Sequence, residues 1–342
     1  MNIETEIEFW KSSFEDRGVS SHLINDYLIY CQKILTNNVP VVFELEHLSK
    51  LLGTDYIVLC KMVNSPTAFY RRFLIPKRRG GFREITAPYP SLLSCQNWIY
   101  ENILKSGRVH PAVHGFALKK SILTNASPHL NSTALLKLDI ENFFPSLSIN
   151  WVLNYFSSLG YARNISFYLA SLCCFDGGLT QGASTSPALS NILLYGLDVR
   201  LELLAEKYEL RYTRYADDMT FSGNYIPHNF IQIVSGIIDD FGLNVNEGKT
   251  RLHTKKGQRI VTGISVTGDE PKLPKSKKRE LRQKIHIIRK YGYMSYISKK
   301  KINEPNYLLS LLGQIQFWLQ VEPNNIFAQE GLAYLKSINR QI

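Results

Sequence analysis

Tyr215-Ala216-Asp217-Asp218 sets two adjacent carboxylates on a short connection between the strand-like runs 211–215 and 219–222, and the apolar run Leu135-Leu136-Lys137-Leu138-Asp139-Ile140 carries a third. Two aspartates on a tight turn put negative charge at the rim of a sheet, and one more from a neighbouring strand completes a cage for hard cations. Such a cage suits Mg²⁺. Two ions roughly 3.5–4 Å apart can clamp the attacking hydroxyl and the leaving oxygen of a phosphoryl transfer, and few side chains other than carboxylates hold both. Glu141 and the pair Asp239-Asp240 read instead as solvated surface charge.

The elements that must position these groups alternate between strand and helix patterns. Residues 1–66 read as amphipathic helices, for example around Ser20 to Ile29, where a serine caps an apolar stripe. Phe73-Leu74-Ile75-Pro76 and Phe82-Arg83-Glu84-Ile85-Thr86 flank Lys77-Arg78-Arg79-Gly80-Gly81, which predicts a hairpin with a basic tip. Residues 151–174 and 187–208 carry helical spacing, with Ser186-Pro187 a suitable helix start. Beyond about Gly268 the chain is basic and helical in pattern, with apolar stripes at Leu281, Ile285, Ile288 and at Leu308, Leu311, Leu312, Ile315. Mixed elements in this order imply an α+β fold and not a doubly wound parallel sheet.

At 342 residues and 44% hydrophobic, the chain is long enough for several subdomains around sizeable cores. The start, Met1-Asn2-Ile3-Glu4-Thr5-Glu6, is acidic where a signal peptide needs basic residues before an apolar stretch, and no long apolar run follows, so a soluble cytoplasmic protein with no membrane partner is expected. The five cysteines (31, 60, 95, 173, 174) have no CxxC spacing and read as reduced and mostly buried. Charge is uneven. Residues 249–342 hold 19 Lys and Arg against 6 Asp and Glu, whereas the first 248 hold 21 against 23. A nearly neutral body with a basic C-terminal quarter suits an enzyme with a lobe for a polyanion.

Four segments, in order, resemble the successive motifs of reverse transcriptases. Leu138-Asp139-Ile140-Glu141-Asn142-Phe143-Phe144-Pro145-Ser146-Leu147 is similar to the first palm aspartate motif and Leu179 to Pro187 to the glutamine-glycine nucleotide motif. Tyr215 to Asp218 resembles the catalytic hairpin and Gly242 to Thr250 the lysine motif that follows it. The resemblance spans roughly 68–266 and implies a right-hand polymerase: a helical N-terminal extension (1–66), fingers (67–135), a palm with the catalytic site (136–268) and a basic helical thumb (269–342). It implies that Asp139 and Asp217 are the principal metal ligands, that Asp218 completes the cluster, and that the Ile140 carbonyl is available to a second Mg²⁺. For the deoxynucleoside triphosphate it implies Arg83 and Lys77, with Arg78 able to stand in for Lys77; a planar guanidinium suits bidentate phosphate contact. Gln181 and Gly182 would line the sugar and the template base, and Lys249 would protonate the leaving pyrophosphate. Phe144, five residues after Asp139, matches the bulky gate against a ribose 2′ hydroxyl, while Phe143 beside it reads as core.

Asn125-Ala126-Ser127-Pro128-His129 and Val261-Thr262-Gly263 resemble the NAxxH and VTG signatures of retron reverse transcriptases, the first upstream of Asp139 and the second downstream of Lys249. The resemblance implies an enzyme that binds its own structured noncoding RNA as template and primer, starts DNA from a guanosine 2′ hydroxyl, and makes multicopy single-stranded DNA. It also implies antiphage defence, with the RNA-DNA product and an effector or toxin protein as partners. Asn125 and His129 read either as RNA-positioning groups or as local hydrogen-bonding caps. Lys277, Lys278, Arg282 and Tyr291 head a basic, tyrosine-interleaved stretch able to contact phosphates and to stack on unpaired bases, though the tyrosines of this stretch could equally pack the thumb's own helices. A non-retron or group II intron-like reverse transcriptase and a non-catalytic nucleic-acid-binding scaffold are the alternatives; clustered carboxylates that repel one another argue against the scaffold.

Overall fold

The computed structural model describes residues 3–77, 80–254 and 257–339. In chain order the helices and strands are α1 (Ile3–Asp16), α2 (Ser21–Thr36), α3 (Leu45–Leu52), α4 (Tyr56–Asn64), β1 (Tyr70–Pro76), β2 (Phe82–Pro88), α5 (Pro90–Ile99), α6 (Ile122–Ala126) and β3 (Ala134–Asp139). Then come α7 (Phe143–Ser146), α8 (Ile149–Ser158), α9 (Arg163–Cys173), α10 (Ser186–Leu193), α11 (Tyr195–Lys207), β4 (Arg211–Tyr215), β5 (Asp218–Gly223), α12 (His228–Asp240) and β6 (Arg251–His253). The chain closes with β7 (Ile260–Val261), β8 (Ile264–Ser265), α13 (Lys275–Tyr291), α14 (Tyr293–Lys300), α15 (Tyr307–Val321) and α16 (Ile326–Asn339). Among the described residues no helix is long and apolar enough to cross a membrane.

The chain forms two compact units, each drawn from separate stretches: 1–117, 140–200 and 235–245 in the first, 118–139, 201–234 and 246–342 in the second. The amphipathic helices expected over residues 1–66 are α1–α4, in the first unit. Trp10, Phe14, Tyr27 and Phe43 form an aromatic cluster there, with ring centroids 5.3–5.7 Å apart for Trp10–Phe43, Phe14–Tyr27 and Phe14–Phe43. Asp55 starts α4 by accepting from the Ile57 and Val58 N–H groups. The basic-tipped hairpin is β1–β2, antiparallel from Tyr70↔Pro88 to Pro76↔Phe82. All five cysteines are free, and all but Cys60 are buried.

The second unit holds an antiparallel sheet in the order β4-β5-β3-β6. Leu135, Leu136 and Leu138 of β3 and Met219 and Phe221 of β5 are at most 1% exposed, so the middle strands are covered and their polar ends are left to the rim. Helices α13–α16 pack on one another around Leu281, Ile285, Ile288, Leu311 and Ile315, from the two apolar stripes expected from the sequence, together with Trp318. Gly331 of α16 packs close to α13: an added Cβ would lie 2.9 Å from Ile285 Cδ1, so any larger residue would make the Ile285 side chain shift.

Candidate active site

Register brings the carboxylates together within the second unit. Asp139, at the end of β3, pairs directly with Asp218, the first residue of β5, and Asp218 also pairs with Tyr215 of β4 across a two-residue turn of Ala216 and Asp217. Ala216 carries φ +56°, a left-handed conformation uncommon for alanine and the kind of local strain found where a turn must aim a side chain. Beneath it the fully buried Arg214 guanidinium donates to the Ala216 carbonyl at 3.2 Å.

Like charges facing each other across a strand pair repel. Burial, followed by the charges of Asp139 and Asp218, pushes the Asp217 carboxyl up to about 6. Asp218 is likewise raised, first by burial, with Lys137 pulling the other way. Asp139, only 5% exposed, is held differently: Lys249 Nζ donates to both of its carboxylate oxygens at 2.7 and 2.8 Å. The lysine is placed by Asn246, whose N–H donates to the Asp139 carbonyl at 2.7 Å and whose side-chain oxygen accepts from the Lys249 N–H at 3.2 Å.

Asp217 and Asp218, whose charged forms are disfavoured by burial and by neighbouring carboxylates, and Asp139 beside them are hard oxygen donors of the kind a divalent cation takes. No group of three or more metal-binding side chains is preassembled as a cage among the described residues. Lys249 engages both oxygens of Asp139, so that its ammonium supplies positive charge beside that carboxylate.

In the first unit the nucleotide-motif residues lie against β2. Thr86 N–H donates to the Gln181 carbonyl at 2.9 Å, and Gly182 has φ +130° with an added Cβ only 2.7 Å from the Thr86 carbonyl oxygen, so glycine alone fits this approach. Gln96, fully buried, pins the same loop: its side-chain oxygen accepts from Ser184 N–H at 3.2 Å while its amide donates to Tyr70 Oη and the Leu172 carbonyl. Phe143 is 6% exposed, as expected of a core residue, and Phe144 is half-buried, with Phe116 at 6.4 Å between ring centroids. Arg83 and Lys77 are exposed at the far end of the β1–β2 hairpin, and Arg78, the alternative to Lys77, lies outside the described residues. Ile140 bridges Val245.

Of the six residues expected to contact RNA, three (Asn125, His129 and Lys278) are turned inward. Asn125 is 1% exposed and His129 0%, and their polar atoms turn inward: Asn125 Nδ2 reaches Thr262 Oγ1, and the His129 ring nitrogens reach Ser222 and Thr213 hydroxyls. Neither can touch RNA from there. Lys278 is also turned inward, its ammonium 3.1 Å from Glu322 with side chains only 17% and 14% exposed. Lys277, Arg282 and Tyr291 remain at the surface, although Arg282 lies 5.6 Å from the Trp318 and Phe327 ring centroids. Tyr296 is core at 5% exposed. Sequence reasoning missed Gln96, Lys137 and Arg214; an arginine at an inward-facing strand position was the one available signal.

The family model described as reverse transcriptase (RNA-dependent DNA polymerase) matches residues 75–283. The chain is 35% identical over 254 residues to the retron Ec86 reverse transcriptase of Escherichia coli, covering 73% of this chain and 79% of that protein. It is 31% identical over 331 residues to the retron Mx162 reverse transcriptase of Myxococcus xanthus, covering 83% and 68%. With Asp139 and Asp218 paired across β3 and β5, Asp217 in the adjoining turn, and this extent of likeness, the chain belongs to the retron-type reverse transcriptases, RNA-directed DNA polymerases of right-hand fold whose family uses divalent metal ions.

Proposed function

We propose that this enzyme copies part of a cognate structured noncoding RNA into branched multicopy single-stranded DNA, priming from a guanosine 2′ hydroxyl, with two Mg²⁺ held by Asp139, Asp217 and Asp218 and by the Ile140 carbonyl. The observation that carries the catalytic half is the Asp139↔Asp218 register with Asp217 in the adjoining turn. Bound there, the ions supply Lewis-acid stabilisation of the attacking and leaving oxygens. The chain's own residues do the rest. Lys249 leaves Asp139 when the cluster is otherwise neutralised, and its ammonium then delivers a proton toward the leaving pyrophosphate. Arg83 and Lys77 grip the triphosphate, Gln181 and the bare backbone at Gly182 admit sugar and base, and Phe144 excludes a 2′ hydroxyl.

The functional division into extension, fingers, palm and thumb keeps the limits given above, with Lys277, Arg282 and Tyr291 of α13 meeting RNA and Asn125, His129 and Lys278 acting from the interior. The product complex restrains or senses for an effector protein in antiphage defence, in the cytoplasm. The direct test is to express the chain with its neighbouring noncoding RNA gene and sequence the nucleic acid that co-purifies. DNA joined to RNA through a 2′,5′ linkage, lost in Asp217→Asn, is expected; DNA with an ordinary 5′ end would overturn the priming assignment. Phe144→Ala should admit ribonucleotides, whereas Phe143→Ala should lower the melting temperature.

A further inference from the structure

The two short signatures that mark the subfamily are in contact. Thr262 and Gly263 are the two central residues of the β7–β8 hairpin, and both have positive φ, +44° and +85°. Such a turn favours asparagine then glycine, and a β-branched residue rarely adopts the first position. What threonine offers there is its hydroxyl. Thr262 Oγ1 donates to the Ile122 carbonyl at 3.2 Å and accepts from Asn125 Nδ2 at 3.4 Å, while Asn125 Oδ1 is buried without a partner among the described residues.

The surroundings say what this contact holds. Ala126 packs with Leu135 of β3, with Val261, Ile264 and Val266 around the turn, and with Val321 of α15. Ser265 and Lys272 exchange backbone hydrogen bonds just ahead of α13. Three residues along from Ala126, His129 spans the catalytic hairpin from behind, 2.7 Å from Thr213 on β4 and 2.7 Å from Ser222 on β5, with Ser132 Oγ 3.0 Å from the same Ser222.

We propose that Asn125, His129 and Thr262 are positioning residues: together they form an internal post that fixes the aspartate-bearing hairpin and the root of the basic helices α13–α16 to one body. Their effect on the reaction is therefore independent of RNA sequence. Thr262 and Asn125 set where the basic helices hold the template-primer, and His129 sets the hairpin.

The test measures kcat and the KM for template-primer on two substrates, a generic RNA template with DNA primer and the chain's own noncoding RNA, with melting temperature as control. The inference rests on the proposed retron reaction only in the second arm, and wild-type extension of the generic substrate shows independently whether the polymerase reading stands. Thr262→Val and Thr262→Asn should raise KM about fivefold or more on both substrates by the same factor, with kcat within about twofold, and Thr262→Ser should restore wild-type values. Thr262→Asn suits the turn and should melt no lower than wild type, which separates lost positioning from lost stability. Asn125→Leu removes the donor and the orphan acceptor together, and combined with Thr262→Val it should add little to either change alone. A loss confined to the noncoding RNA would overturn the proposal in favour of RNA reading. A Thr262→Asn enzyme with unchanged KM would reduce the signature to a turn.

Discussion

Within the second unit, the acidic corner at Asp139, Asp217 and Asp218 and the helical bundle α13–α16 are held by opposite means. In the corner, burial and neighbouring carboxylates oppose the charge of Asp217 and Asp218, and Lys249 pairs with Asp139. In the bundle, Trp318, Ile285, Ile288, Leu311 and Ile315 are fully buried against one another, and the Lys278–Glu322 pair is satisfied further by the Leu273 N–H donating to Glu322 at 2.8 Å. Burial alone would raise the Glu322 carboxyl, yet the Leu273 N–H and Lys278 hold it below its ordinary value. Stability resides where no chemistry is done, and the chemistry is built from groups that cost stability until a cation binds.

Asp217→Asn should produce the largest effect and cut both ways. Losing a carboxylate from the metal site costs several kcal/mol of barrier, on the order of a thousandfold or more in primer extension. Without metal, the same variant should melt higher than wild type. The folded Asp217 pKa is raised, so its charge costs the native state most above about pH 6, and that cost fades as pH falls toward the ordinary carboxylate value. Melting in chelator at pH 8 and pH 5 checks the sign: a stabilisation that did not shrink at pH 5 would break the contrast drawn above.

Trp318→Ala tests the other side of the comparison. Emptying a fully buried indole should cost about 3–5 kcal/mol, with no compensating gain at any pH. Thermal unfolding should fall on the order of 10 °C. An unchanged melting temperature would mean that the bundle contributes little to the stability of the unit.

Lys249→Met stands between the two. Extension should fall about 10- to 100-fold through loss of the proton donor. The metal-free protein should lose about 1 kcal/mol, kept small because the lysine side chain is 59% exposed while Asp139 is not. Mg²⁺ should then raise the melting temperature of the variant more than that of wild type, since an added cation takes over the role of the missing ammonium. Equal shifts would remove Lys249 from that role.

Glu322→Gln should have the smallest effect, about 1 kcal/mol, because the amide keeps an acceptor for Leu273 but leaves Lys278 without its counter-charge. With its folded pKa depressed, Glu322 contributes stability above the ordinary carboxylate range and loses it as pH falls through the lower folded value. Acid titration of the melting temperature should therefore be shallower in the variant than in wild type.

How much of this was readable beforehand depends on the range of the contacts concerned. The Asp217-Asp218 hairpin, the Asp139 strand, the basic-tipped hairpin and the bundle's two apolar stripes are set by local rules: alternation, helical spacing, and turn residues within a few positions of one another. Phe143 and Phe144 were told apart because neighbouring residues face different ways, and the structure places one in the core and the other half-exposed. The polar residues were another matter. Asn125 meets Thr262 at a separation of 137 residues, His129 meets Thr213 at 84 and Lys278 meets Glu322 at 44, and no local pattern says whether an asparagine, histidine or lysine turns outward to RNA or inward to such a partner. The need for glycine at 182 likewise comes from the Thr86 carbonyl, which only folding brings near. Sequence alone determined which residue types stand at the catalytic turn, because phosphoryl transfer demands carboxylates there. Only the tertiary structure decided which polar groups were free to act on a substrate, because burying a polar group is tolerable only against a partner that the distant chain supplies.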